Sequence, residues 1–184
     1  MPQAELRLAA SGGKLNNARG NLAMELAKPW RDELGYLKAR LLEASYGAEL
    51  ARRFLEAGMA RNAAGKAWQA WKALLAALAL KEREALKGVF SGVKKLRGGR
   101  RLSEADWVVA FMPSTRVRRV AQILAKKYGD ALLMYTDIAL NLHEYQYNGP
   151  DREGVFSRYP DDEAAGEDIE RLLRGLEDMR RQLQ

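Results

Sequence analysis

Apolar residues recur along this chain at intervals of three and four, the period of an α-helix, and no segment alternates with the period of a β-strand. Pro29 reads as the opening of a first helix, with Asp32 and Glu33 in its first turn, where the helix dipole favours acids. A stripe of Leu34, Leu37, Leu41, Leu42, Ala44, Ala48, Ala51 and Leu55 follows and stops at Gly58. A second helix is predicted over residues 61–88. Trp68, Trp71, Leu75 and Leu78 fall on one of its faces, and Arg61, Gly65, Gln69 and Lys72 on the other. The glycine between these two helices predicts a tight antiparallel hairpin.

Residues 86–101, LKGVFSGVKKLRGGRR, interrupt the period with glycines at 88, 92, 98 and 99, and read as a connection or a frayed helix end. Ser103 with Asp106 then opens a short helix in the manner of a capping box, carrying Trp107, Val108 and Phe111. Pro113 breaks it, and Ser114 caps the next helix, which stops at Gly129. Asp130 starts DALLMYTDIALNLHEYQYNG, an amphipathic helix ended by Asn-Gly-Pro. A last helix over 162–182 shows the stripe Ile169, Leu172, Leu173, Leu176 and Met179. Short links between long helices predict an all-α fold: an up-and-down bundle of four to five main helices with one short extra helix. Residues 1–23 lack a period, so a flexible or loosely helical N-terminal extension is expected there. A single helical domain is expected over 24–184, with Met24 a candidate natural start.

Composition narrows the chemistry. The 184 residues include no cysteine and one histidine, which argues against disulfides, thiolate chemistry and a zinc site; no metal and no cofactor are expected. The longest apolar run, Ala73 to Leu80, is too short to span a bilayer, and Met1 to Leu22 lacks the apolar core of a secretory signal. A cytoplasmic protein without membrane contact is expected. The net charge of +7 is unevenly spread: residues 24–100 hold sixteen bases against eight acids, and residues 150–184 six against ten. A basic first half favours an anionic partner, nucleic acid foremost, and the same charge runs also serve plain solvation of helix faces.

Four places draw attention. AGKA at 64–67 is not a phosphate-binding loop: no strand precedes it, the glycine spacing is wrong and Ala67 stands where a hydroxyl is needed. Trp68 and Trp71, beside Lys66 and Lys72, read as core or interface, with base stacking as the alternative. Lys87, Lys94, Lys95, Arg97, Arg100 and Arg101 form a glycine-rich basic loop suited to phosphate backbones. His143 shares a helical face with Leu132, Thr136, Ala139 and Tyr147, on the half-buried side. It is the one candidate catalytic base, yet no cation lies within a turn of it in sequence, and a structural hydrogen bond is the favoured reading.

KPWRDELGYLKARLLEA, RNAAGKAWQAWKALLAALAL and LHEYQYNGPDREGVFSRY, in this order and spacing, resemble the archaeal PaREP family, which is grouped with the HEPN superfamily of small helical domains. The resemblance covers roughly residues 24–180. It implies a four- or five-helix bundle, frequently dimeric, and a link to nucleotide or RNA binding, with metal-independent ribonucleases and toxin–antitoxin systems among the relatives. Those ribonucleases carry an arginine, four to six residues, then a histidine; here the corresponding positions before His143 hold Thr136, Asp137 and Ile138. The expectation is therefore a nucleotide- or RNA-binding bundle without established catalysis. Arg61, Asn62, Lys66, Lys72, His143, Glu144 and Tyr147 are its binding candidates, together with the basic loop. An antitoxin-like interaction module with a protein partner and a ribonuclease using His143 are the alternatives. A homodimer through the first helical hairpin is expected, because such a bundle exposes an apolar stripe as a monomer.

Overall fold

The centre of the protein is the alanine-rich helix of the second sequence segment. In the computed structural model, which describes residues 27–183, the elements run α1 (Glu33–Glu56), α2 (Ala60–Lys81), α3 (Arg83–Lys87), β1 (Val93–Lys95), β2 (Arg101–Ser103), α4 (Glu104–Phe111), α5 (Ser114–Tyr128), α6 (Ala131–Asn148) and α7 (Asp162–Arg181). The expected extension over 1–23 and the domain opening at Met24 lie outside the described residues. The fold is an all-α bundle, as the periodicity predicts. Helix α2 packs against α1, α6, α7, α5 and α4, which explains why it is buried on nearly every side.

Small residues set how closely α1 and α2 approach. Ala44, Ala48 and Ala51 of α1 and Ala63, Ala67 and Ala70 of α2 are all buried. A Cβ on Gly47 would lie only 3.0 Å from Ala70 Cβ. This alanine face, with Tyr36, carries the core side of α1. Leu34 and Leu42, expected on that stripe, are 61% and 54% exposed, because α2 approaches from the alanine side. The helix also begins later than Pro29 suggests. Residues 29–31 form a turn, and Asp32 caps the helix by accepting from Gly35 N at 2.8 Å.

Helix α2 ends at Lys81 rather than continuing to 88. A break at Glu82 turns Arg83 toward Asp106 (2.5 Å) and Glu33 (3.0 Å), while Glu82 takes Lys127 and the Tyr128 hydroxyl. Burial, reinforced by the carboxylate, pushes the Tyr128 phenol up to about 12. The expectation of no strands fails in one place. The basic glycine-rich segment folds into a two-stranded antiparallel ribbon, β1 on β2, closed by Gly98 and Gly99 at positive φ. Three paired residues per strand are too few to show a period of two, so the hydrophobic pattern could not reveal them.

Ser103 caps α4 through Asp106 N as the capping pattern predicts, and all five apolar stripe residues of α7 are buried. At Gly175 a side chain would meet the Tyr135 ring at 2.5 Å, so this glycine sets the approach of α7 to α6. No described helix is long and apolar enough to cross a membrane.

Candidate functional site

Helices α2 and α6 run antiparallel along a seam that orders the candidate residues. At one end Trp71 Nε1 donates to Thr136 Oγ1 at 3.0 Å, and its ring meets Tyr135 edge-on. One turn along, the Trp68 indole stacks on His143, with centroids 4.4 Å apart and planes 19° from parallel. Next, Gly65 leaves room for the Gln146 amide: a Cβ there would lie 2.6 Å from Gln146 Oε1. At the far end Arg61 donates to the carbonyls of Gln146 (3.1 Å) and Tyr147 (2.5 Å), satisfying the last turn of α6. The helix stops there because Gly149 takes a φ of 74° and Pro150 follows.

His143 sits half-buried in this seam. Gln146 Nε2 faces its Nδ1 at 2.5 Å, so Nδ1 accepts and the ring proton sits on Nε2. Tyr147 meets the imidazole edge-on at 5.5 Å, and its own ring is 69% exposed. Lys72 Nζ lies over the Trp68 indole, 5.5 Å from the ring centroid. Burial, with the charge of Lys72 added, pulls the His143 pKa below its ordinary value, against a smaller opposing pull from Glu144. The Lys72 ammonium is itself shifted down, first by burial and then by Arg40. At neutral pH the column is therefore a neutral imidazole stacked on an indole, with a cation over that indole and an exposed tyrosine at its end.

The candidates divide accordingly. Lys72, His143 and Tyr147 come together, and Lys72 is half-buried rather than solvent-facing. Lys66, which reaches Gln69 Oε1 at 3.2 Å, and exposed Asn62, whose side chain bonds to no described residue, lie on the neighbouring outer face of α2. Arg61 is spent on helix-end carbonyls. Glu144 points elsewhere, into an open groove of about 440 Å³ with Asn148, Phe156 and Arg158. In the basic loop, Lys87 pairs with Glu84 and Lys94 with Glu104, whereas Lys95, Arg97, Arg100 and Arg101 meet no described acid. Gln146 and Gly65 complete the site and were not among the expected binding residues. Only the helical offset of Gln146 from His143 points to it in sequence. Among the described residues no three His, Asp or Glu side chains converge as metal ligands.

Much of LHEYQYNGPDREGVFSRY proves to be scaffold. Asp151 accepts from the backbone of Glu153, Val155 and Phe156, Asn148 donates to Phe156 O, and Arg158 donates to Asn141. Tyr145 and Tyr159 donate to Asp162 and Asp168 of α7, and burial followed by those carboxylates raises both phenols.

A family model described as the Archaeal PaREP1/PaREP8 family matches residues 39–170, which spans the whole seam. No curated protein and no solved structure matches the chain significantly.

Proposed function

The chain belongs to the archaeal PaREP1/PaREP8 family, and from that premise we propose that it is a HEPN-like cytoplasmic protein that binds a nucleotide or RNA without cleaving it. The observation that carries this reading is the column Lys72–Trp68–His143–Tyr147. Its exposed Tyr147 ring offers a stacking surface for a base, worth about 1–3 kcal/mol in such sites. His143 Nε2 offers a hydrogen-bond donor, and Lys72, with Lys66 nearby on the same helix, offers charge for a phosphate.

Cleavage finds less support. Of the positions from which the ribonuclease arginine would come, Thr136 is buried against Trp71 and Asp137 is forked onto Arg118. Arg61 is committed to the end of α6. The ribonuclease alternative requires that His143→Ala abolish RNA cleavage. Ring NMR of the single histidine tests the binding reading. Added AMP shifts the His143 signals in the wild type and fails to shift them in Tyr147→Ala; signals unmoved by saturating AMP contradict it.

A second reading, as an interaction module, draws on α1. Leu42, Tyr46 and Leu50 recur every four residues and are 54%, 64% and 39% exposed, a stripe fit for a second copy or an antitoxin-like protein partner. Sedimentation of the full chain as a monomer at working concentration contradicts the homodimer.

A further inference from the structure

A second basic surface is built from other elements, where the β-hairpin and the start of α5 both reach Glu104 of α4. Glu104 joins them: its Oε1 takes Lys94 Nζ at 3.5 Å and Arg116 Nη2 at 3.6 Å. Lys94 also lies over the Trp107 ring at 5.1 Å, and Arg116 lies 6.0 Å from the Phe90 ring. Through these contacts Lys94 of the hairpin and Arg116 of α5 converge on one carboxylate of α4. Residues 93–103 contain five bases and no acid, and residues 114–128 another five and no acid. Arg118 is forked onto Asp137 and Lys127 is paired with Glu82. Arg119 reaches only the neutral Gln122, and Lys95, Arg97, Arg100, Arg101 and Lys126 meet no acid among the described residues.

Two features set this surface apart from ordinary solvated charge. Lys95 and Arg101 are direct partners in the hairpin register, and like charges placed opposite each other destabilise a two-stranded ribbon. An anion lying across the hairpin would relieve that repulsion. On α5, Thr115, Arg119, Gln122 and Lys126 share one outward face, flanked by Arg116, while Val117, Val120, Ala121, Ile123 and Leu124 are buried. From Arg116 to Lys126 the stripe extends about 15 Å along the helix axis, which faces about four phosphates of one nucleic-acid strand.

We propose that the hairpin and the outer face of α5 together track the phosphate backbone of a polynucleotide. A mononucleotide concentrates its charge at one end and cannot engage a stripe of this length. A lipid surface is a poor match, because α5 spends its apolar residues inside the bundle and has none to insert. The inference rests on the nucleic-acid reading above for its ligand class, but on none of the residues of the His143 column.

The test compares the full chain with R97A/R100A/R119A/K126A, four exposed positions whose loss should leave the circular dichroism unchanged. Filter binding uses single strands and duplexes of RNA and of DNA, about 20 nucleotides long, between about 50 and 200 mM salt. The expected result is at least about a tenfold loss of affinity at low salt, with the slope of log K against log salt shallower by about 3. The response of His143 to AMP should be unchanged. Equal loss with RNA and DNA identifies the backbone as the ligand, and loss confined to one polymer identifies that polymer. Unchanged affinity and slope in the variant overturn the proposal, as does a wild type that answers AMP at His143 yet binds neither polymer. Polymer binding through these four bases without any AMP response supports it while sinking the column.

Discussion

The imidazole of His143 lies against the indole of Trp68 with 4.4 Å between centroids, and Lys72 Nζ lies over the same indole, 5.5 Å from its centroid. The contact joins two segments 75 residues apart and brings the histidine the cation that its own helix lacks. It also bears on the electrostatic state of the site, since an imidazole desolvated against an indole and repelled by a nearby ammonium resists protonation.

The pKa of His143, read from its ring protons, lies below 6.5, and Lys72→Met moves it upward by removing the repelling charge, with Glu144 left to favour the cation. The sign for stability is fixed by the same shift. Between the folded and unfolded pKa values the unfolded chain binds more protons, so stability rises with pH through that window and falls as pH drops below about 6.5. A pKa at or above 6.5 in the wild type contradicts the stacked, partly desolvated arrangement.

Gly65→Ala tests how the ring is oriented. The new Cβ would come within 2.6 Å of Gln146 Oε1, the end of a flexible side chain, so the amide should swing away and release His143 Nδ1. A gain of about 1 kcal/mol in helix propensity offsets a hydrogen bond of similar worth, so the melting temperature should barely move. The imidazole ¹⁵N shifts should report a changed tautomer balance; unchanged shifts would show that Gln146 does not hold the ring.

Arg61→Ala separates scaffold from ligand contact. Removing the guanidinium deprives two carbonyls at the end of α6 of their donors and should cost about 1 kcal/mol in urea unfolding. The AMP response of His143 should persist. Intact stability with a lost AMP response would return Arg61 to the binding residues.

How much of this was legible in the sequence depends on the length scale of the signal. The long helices and the α7 stripe follow from a period repeated over many turns, and Gly58, Ser103 and Gly149 mark boundaries through turn and cap chemistry. On α1 the stripe reads correctly at Ala44, Ala48 and Ala51 but overreaches at Leu34 and Leu42, because leucine outranks alanine in any hydrophobic pattern, while close packing on α2 selects alanine. Strands of three residues left no period to read. In the site, His143, Lys72 and Tyr147 were visible as residue types, but their meeting depends on the antiparallel register of α2 and α6. That register also brings together Gly65 and Gln146, two residues with no chemical signature of their own. Arg61 shows the converse case: a basic residue in the right neighbourhood whose charge is used to finish a helix.

In the proposed function the column of Lys72, Trp68, His143 and Tyr147 receives a nucleotide or RNA. Filter binding of RNA to the wild type, Lys72→Met and Tyr147→Ala at low and moderate salt tests it most directly. Micromolar binding that weakens as salt rises is expected, with a further loss of about 1–3 kcal/mol when the Tyr147 ring is removed. RNA binding that is absent at micromolar protein in low salt, or identical in all three proteins, would contradict it.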